Sequence, residues 1–138
     1  MQRTYEVRAT KRARKQGEKL PISEEARVQI IKELKRLKFW NTNEEEYTYE
    51  TAYGAIEFKF QERDHWIRVF VFQDDLRRTM WVFRVIAKKT NQIAQEDKMA
   101  IETAVSEFER EIRLLKAQEA RNMKKGNLSA IDGGGTKK

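Results

Sequence analysis

The 138-residue sequence contains 29 Lys and Arg residues against 22 Asp and Glu residues, and its formal net charge of +7 favours a polyanionic partner or an acidic protein. Cysteine is absent, which excludes disulfides, thiolate catalysis and cysteine metal sites. No apolar run approaches the roughly 20 residues that a membrane span needs, and no signal peptide is visible. We therefore expect a cytoplasmic protein with no membrane partner.

The N-terminal part of the chain predicts one strand and one or two helices. Residues 3–9 alternate apolar and charged side chains, which is typical of a short strand. The basic residues 10–19 fit a short helix or a flexible arm. Ser23 is a suitable N-cap for a helix predicted over residues 24–38, where apolar residues recur at helical spacing. Residues 41–46 are polar and acidic, as in a loop.

Three further strands are predicted in the middle of the chain. Residues 47–60 have strand character, with a break at Gly54 that indicates a bulge. Residues 66–72 are apolar on both faces, as in a central strand. A hairpin connection over residues 73–78 leads to a strand over residues 80–87. These strands form an antiparallel meander, to which the N-terminal strand is a candidate fourth member.

The C-terminal part predicts a second long helix. Apolar residues recur at helical spacing over residues 95–116 and fade from residue 117. We therefore expect one domain over residues 1–116 and a basic, disordered tail over residues 117–138. The predicted fold class is α+β, with a small antiparallel sheet packed against helices and a long C-terminal helix.

The sequence offers few groups for metal, cofactor or nucleophile chemistry. His65 is the single histidine, so a zinc site is not expected. Asp74 and Asp75 are more typical of a turn than of a cation site. The sequence contains no glycine-rich phosphate loop and no nucleophile elbow. We expect no metal and no cofactor.

Two arginines stand among large apolar residues, which is the most informative feature of the strands. A buried guanidinium is costly unless it is paired, so Arg68 and Arg84 indicate a sheet face that holds an anion such as a phosphate. With Lys59, Lys88 and Lys89 they make a basic set able to stabilise a phosphoryl-transfer transition state. RNA supplies its own 2′-OH as nucleophile, and a lysine of lowered pKa can act as the base.

Each of these side chains also has a structural interpretation. Either arginine can pair with Glu57, and Lys59 can face water in an alternating strand. Exposed lysines are ordinary where a strand ends. Lys35 and Arg36, at the end of the predicted first long helix, are candidates for RNA binding together with Lys89, although a basic helix face is often only solvated.

Three segments of the chain resemble a known family in their order and spacing. They are Tyr53-Gly-Ala-Ile-Glu-Phe-Lys59, Trp66-Ile-Arg-Val-Phe70 and Val82-Phe-Arg-Val-Ile-Ala-Lys-Lys-Thr90. Together they resemble the RelE/ParE superfamily of type II toxins, closest to its HigB-like, phage-derived branch, over about residues 45–108. The sequence departs from the family pattern at Ile86, where phenylalanine is usual, and at Ala94, near the place of a proline.

The resemblance implies a ribosome-dependent mRNA endoribonuclease toxin that uses the RNA 2′-OH and basic side chains. It implies mRNA and the ribosome as partners, and a cognate antitoxin, often a helix-turn-helix protein. Carried onto this chain, the basic positions of the family motifs are Lys59, Arg68, Lys88 and Lys89, while Arg84 sits where the family often has histidine or another residue. We expect the catalytic residues to be Lys59, Arg68, Arg84 and Lys88. Lysine at position 59 replaces an arginine of the family and lacks its bidentate fork.

Two other functions remain open at the level of sequence. One is a ParE-like toxin that binds DNA gyrase and has no nuclease activity. The other is a non-toxic, basic nucleic-acid-binding or phage accessory protein of the same fold. Cut mRNA, gyrase poisoning or no growth effect on expression would distinguish the three.

Overall fold

The computed structural model describes residues 4–40, 49–90 and 92–131, with side chains described up to residue 124. Strands and helices are mixed along the chain, which confirms the predicted α+β class. Their order is β1 (Glu6–Ala9), α1 (Lys11–Glu18), α2 (Glu24–Lys35), a 3₁₀ helix (Arg36–Phe39), β2 (Glu50–Ala52), β3 (Ala55–Glu62), β4 (His65–Asp74), β5 (Thr79–Lys88) and α3 (Gln95–Ile131).

The described strands form a single five-stranded sheet in the order β1-β5-β4-β3-β2. Strands β2 to β5 pair with one another in antiparallel fashion, as the predicted meander requires. Strand β4 is central, as its apolar residues on both faces predict. The N-terminal strand joins the sheet as expected and pairs in parallel with β5.

The break predicted at Gly54 is a hairpin turn, so the prediction of a bulge at this point is wrong. Tyr53 and Gly54 have φ angles of 57° and 83°, and Ala52 pairs with Ala55 across the turn. Two consecutive residues with positive φ are typical of a two-residue hairpin, which reverses the chain. The register irregularity of the sheet lies instead between Phe70 and Val71 of β4.

Helices α1 and α2 begin at side-chain caps that the sequence supplies. The Thr10 hydroxyl accepts a hydrogen bond of 3.2 Å from the Ala13 amide, and the Ser23 hydroxyl accepts one of 3.1 Å from the Ala26 amide. The Gln16 side chain of α1 accepts a hydrogen bond of 2.8 Å from the Val85 amide of β5. These bonds explain why the basic segment after β1 is a helix attached to the sheet and not a free arm.

One face of the sheet packs with α1, α2 and the 3₁₀ helix in the main hydrophobic core. Because side chains alternate along a strand, this core takes every second residue of β3 and β4 and leaves the intervening residues on the opposite face. The buried members of the core are Tyr5, Ala13, Ile30, Leu37, Trp40, Ile56, Phe58, Ile67, Val69, Val71, Met80 and Val82.

Helix α3 continues to Ile131, well past the end predicted at residue 116. Residues 117–124 are all exposed, so no apolar stripe marks this part of the helix, although Ala, Gln, Glu, Arg and Lys are good helix formers. The first part of the predicted tail is therefore helical. Internal contacts divide the chain into residues 1–105 and residues 106–138.

Some predictions lie outside the described residues. They are the acidic loop over residues 41–46, residue 3 of the N-terminal strand, residues 47–48 of the strand predicted over residues 47–60, and the glycine-rich end of the chain, residues 132–138. Within the described ranges, no helix is long and apolar enough to cross a membrane.

Candidate functional site

A cavity of about 550 Å³ lies beside the sheet in the first unit of the chain. The β2–β3 hairpin lines it with Glu50, Tyr53, Glu57 and Lys59, β4 with Arg68, and the first turn of α3 with Lys98. Lys59 and Arg68 are Cα partners on adjacent antiparallel strands, so their side chains leave the same face of the sheet. This face is opposite to the main core because Phe58 and Val69, which flank them in sequence, belong to that core.

Arg68 is paired with an acid inside the sheet. Its Nη1 donates a hydrogen bond of 2.7 Å to Glu57 Oε2, and the two side chains are 5% and 3% exposed. This is the pairing that the structural interpretation of Arg68 anticipates. A charge this deeply buried is tolerated when its partner is in good geometry, so the pair fixes the guanidinium at the wall of the cavity.

Lys59 is paired with an acid on the edge strand. Its Nζ donates a hydrogen bond of 2.9 Å to Glu50 Oε1. The Lys59 side chain is 27% exposed and Glu50 is 62% exposed, so solvent reaches both groups. The hydrogen bond and the positive charge of Lys59 hold the pKa of Glu50 below its ordinary value of 4.5.

Arg84 and Lys88 lie on the same face as Arg68 but share a different acid. Arg68 is the Cα partner of Ile86, and Arg84 and Lys88 lie two residues before and after Ile86 on β5, so the three side chains leave the same face of the sheet. Arg84 Nη2 donates a hydrogen bond of 2.6 Å to Asp97 Oδ1, and Lys88 Nζ lies 3.6 Å from Asp97 Oδ2. Neither cation is among the described residues that line the cavity.

Asp97 stands in the first turn of α3, where the helix dipole favours a negative charge. Its carboxylate is 14% exposed and contacts two cations of β5. It therefore attaches the start of α3 to the sheet. The acidic first turn is visible in the sequence, but its partners on β5 are not.

The three residues predicted to bind RNA are not brought to the cavity. Lys89 follows the end of β5 and is exposed. Lys35 ends α2 and Arg36 begins the 3₁₀ helix, and both are exposed, with Arg36 Nη1 3.0 Å from Glu33 Oε1. Because α2 and the 3₁₀ helix pack on the core face, Lys35 and Arg36 lie across the sheet from the cavity.

The four cations assigned to catalysis thus each have a carboxylate within ion-pair distance. They share one sheet face in two groups, one at the cavity and one around Asp97. The sequence shows the basic members of this arrangement more clearly than the acidic ones. The sequence suggests Glu57 as a partner, but it gives no sign that Glu50 and Asp97 have this role.

Lys98 is a cation of the cavity that the sequence does not single out. It is partly buried and lines the cavity, and in the described part of the chain no carboxylate lies within ion-pair distance of its Nζ. A single lysine in an amphipathic helix gives no signal of its own. The available clue was its place directly after Glu96 and Asp97 in the first turn, because Asp97 contacts the basic strand β5.

The described residues contain no group of three His, Asp or Glu side chains that would hold a metal ion. His65, at the start of β4, has its Nδ1 3.0 Å from Asp64 Oδ1 and does not line the cavity. The cations of the cavity can bind an oxyanion, and its carboxylates can accept a proton.

Comparison with known proteins gives a family and one solved structure. The crystal structure of the isolated E. coli RelE toxin matches with a TM-score of 0.44 at 17% sequence identity, over 72% of this chain and 98% of that chain. No curated protein matches the sequence significantly. Residues 18–109 match the model of the family described as phage derived protein Gp49-like (DUF891). The match covers most of the chain and confirms the predicted phage-derived branch: the chain belongs to the Gp49-like family, a family of RelE/HigB-like toxins.

Proposed function

We propose that this chain is the toxin of a type II toxin-antitoxin system and that it cleaves mRNA on the ribosome. The observation that carries the proposal is the pair of adjacent cations, Lys59 and Arg68, on neighbouring strands at the wall of an open cavity. Two cations that leave the same face of adjacent strands and line one cavity suit the oxygens of one phosphodiester. Membership of a RelE/HigB-like family supports the same function.

The reaction needs no nucleophile from the protein. The 2′ oxygen of the RNA attacks the adjacent phosphorus, the bond from phosphorus to the 5′ oxygen breaks, and a 2′,3′-cyclic phosphate remains. Arg68 and Lys59 stabilise the extra negative charge on the phosphate oxygens as the new bond forms. The proton of the 2′-OH passes to a base and the departing 5′ oxygen receives a proton.

Glu50 and Lys59 are suited to these two proton transfers. Glu50 is the more accessible carboxylate of the cavity, because Glu57 is 3% exposed and engaged by Arg68. An ammonium group has only donors, so Lys59, which already donates to Glu50, is assigned to the departing oxygen. This places a carboxylate in the role of base that the sequence assigned to a lysine.

The remaining predicted cations are assigned to RNA binding around the reacting phosphate. Arg84 and Lys88 bring two positive charges to the single carboxylate of Asp97, which leaves a net positive charge for a neighbouring phosphate. Lys89 is exposed at the same end of β5. Lys35 and Arg36, across the sheet, suit a contact with ribosomal RNA and not with the cleaved strand.

A cognate antitoxin completes the proposal. RelE-like toxins generally pair with an antitoxin, and we expect a helix-turn-helix protein in this role. The positive charge of this chain favours an antitoxin with an acidic contact surface.

The proposal is tested by inducing the full-length chain in bacteria and following growth, translation and mapped RNA ends. We expect growth arrest with mRNA cut in translated regions. The Lys59→Met variant, which keeps most of the side-chain stem, should lose cleavage, while Lys32→Met on the exposed surface of α2 should retain it. Arrest with DNA-damage signalling and intact mRNA would point to gyrase instead, and normal growth would point to a non-toxic protein; either result overturns the proposal.

A further inference from the structure

We propose that Lys98 is the principal phosphate-binding cation of the cavity, and that it holds a phosphate of single-stranded RNA beside the Lys59–Arg68 pair. The choice of RNA as ligand rests on the proposed function. The binding role of Lys98 rests on the charges and contacts of the cavity itself.

The position of Lys98 is fixed by its neighbours in α3. Asp97, the preceding residue, is held by the hydrogen bond of 2.6 Å from Arg84. The Lys98 amide donates a hydrogen bond of 3.1 Å to the Ala94 carbonyl, so the first helical turn is formed at this residue. Ile101, one turn further along, is fully buried. A lysine on such an anchored turn is restricted in where its ammonium group can lie.

Among the described residues that line the cavity, one cation has no carboxylate partner. Lys59 contacts Glu50 and Arg68 contacts Glu57, so these four groups balance one another. Lys98 also lines the cavity, and no described carboxylate lies within ion-pair distance of its Nζ. The net positive charge of the cavity wall, as far as the structure describes it, is therefore that of Lys98.

These ion pairs determine which cation of the cavity binds a phosphate most favourably. A phosphate that binds Lys59 competes with the 2.9 Å hydrogen bond to Glu50, and one that binds Arg68 approaches the negative charge of Glu57. A phosphate that binds Lys98 competes with no carboxylate in the part of the chain that the structure describes. Lys98 therefore contributes more to RNA affinity than Lys59 or Arg68 does, and it brings the RNA strand to these two cations.

The test measures binding separately from cleavage. The probe is a short single-stranded RNA oligonucleotide with 2′-O-methyl groups at every position, which cannot react through its 2′ oxygen. Its affinity for the full-length wild type, Lys98→Gln, Lys98→Arg and Lys32→Gln is measured over a range of salt concentrations. Lys32→Gln is the control that loses the same charge from an exposed position on α2.

We expect Lys98→Gln to weaken binding about tenfold and to reduce the slope of log affinity against log salt by about 0.7, the value for one phosphate contact on a single strand. Lys98→Arg should bind as the wild type does, and Lys32→Gln should lose much less. The glutamine side chain keeps most of the lysine stem, and thermal unfolding of each variant verifies that it is folded.

The outcomes separate this inference from the proposed function. Lys98→Gln that binds as tightly as Lys32→Gln overturns the role of Lys98, whether or not the wild type cuts mRNA. A wild type that binds the oligonucleotide through Lys98 but leaves cellular mRNA intact supports the role of Lys98 and overturns the endoribonuclease. A wild type that does not bind the oligonucleotide overturns the inference.

Discussion

Arg68 and Glu57 form an ion pair of 2.7 Å between two adjacent strands, with side chains that are 5% and 3% exposed. The two residues occupy diagonal positions, since Arg68 is the Cα partner of Lys59 and Glu57 that of Phe70. Both charges have left water, so each depends on the other for a partner. The arginine that most suggests a phosphate site is therefore also a structural residue.

The Arg68–Glu57 pair leads to a prediction about stability. We expect Arg68→Ala to lower the free energy of unfolding by about 3–5 kcal/mol, because Glu57 is left as a buried charge without this partner. Glu57→Gln should be destabilising for the corresponding reason. The double variant Arg68→Met with Glu57→Leu should regain most of the loss. Urea unfolding of the wild type, the single variants and the double variant measures these differences.

A double variant that is no more stable than the single variants, or single losses below the roughly 1 kcal/mol of an exposed ion pair, would contradict this prediction. The result also decides how an activity test at position 68 is interpreted. An inactive Arg68→Ala protein is informative about RNA cleavage only if the variant is folded under the conditions of the assay.

The hydrogen bond from Lys59 to Glu50 leads to a prediction about pH. The pKa of Glu50 in the folded protein lies below its ordinary value of 4.5. The pair therefore contributes its full stabilisation above pH 4.5, and this stabilisation is lost as the pH falls through the lower pKa of the folded state. Removing the ammonium group in Lys59→Met should return the pKa of Glu50 towards 4.5. NMR titration of the Glu50 carboxyl carbon measures this change.

Lys32→Met provides the control for this titration, because Lys32 is exposed on α2, on the other side of the sheet. The pKa of Glu50 should remain lowered in that variant. A Glu50 pKa that is the same in Lys59→Met as in the wild type would show that Lys59 does not hold the carboxylate in solution.

The fold was largely predictable because its signals are local. Alternation of apolar residues marks the strands, and Ser23 marks the start of α2 as an N-cap. The hairpin at Tyr53 was missed because a tyrosine at positive φ is uncommon, so a lone glycine suggested a bulge. The end of α3 was missed because exposed helix formers continue a helix without the apolar periodicity by which helices are recognised.

The candidate site was less predictable because its contacts are distant in sequence. Glu50 and Lys59 meet only because the turn at Tyr53 brings β2 alongside β3. Asp97 reaches Arg84 only because α3 returns to the sheet. The arginines are noticeable in the sequence since they interrupt apolar strands. Lys98 does not interrupt an apolar pattern, and the role proposed for it follows only from the charges of all the described residues that line the cavity.

The C-terminal part of α3 leads to a prediction about truncation. We expect removal of residues 117–138 to have little effect on stability, because residues 117–124 are all exposed. The thermal midpoint should shift by less than a few degrees, which corresponds to about 1 kcal/mol in the free energy of unfolding. A chain that ends at residue 98 is the control. It lacks Ile101 and Val105, which are 0% and 5% exposed, and should lose much more stability. A large loss of stability on removal of residues 117–138 would show that the end of the helix supports the fold.

Two glycines in contrasting positions lead to the final prediction. A methyl group at Gly17 of α1 meets no atom within 4 Å, so Gly17→Ala should stabilise the protein by about 0.5–1 kcal/mol through its helix preference. Gly54 has a φ of +83°, and its added Cβ would lie 3.0 Å from Val105 Cγ1. Gly54→Ala should therefore destabilise by at least about 1–2 kcal/mol. Urea unfolding measures both changes. A stabilising Gly54→Ala would contradict the described turn at Tyr53–Gly54, and a destabilising Gly17→Ala would contradict the open space at Gly17.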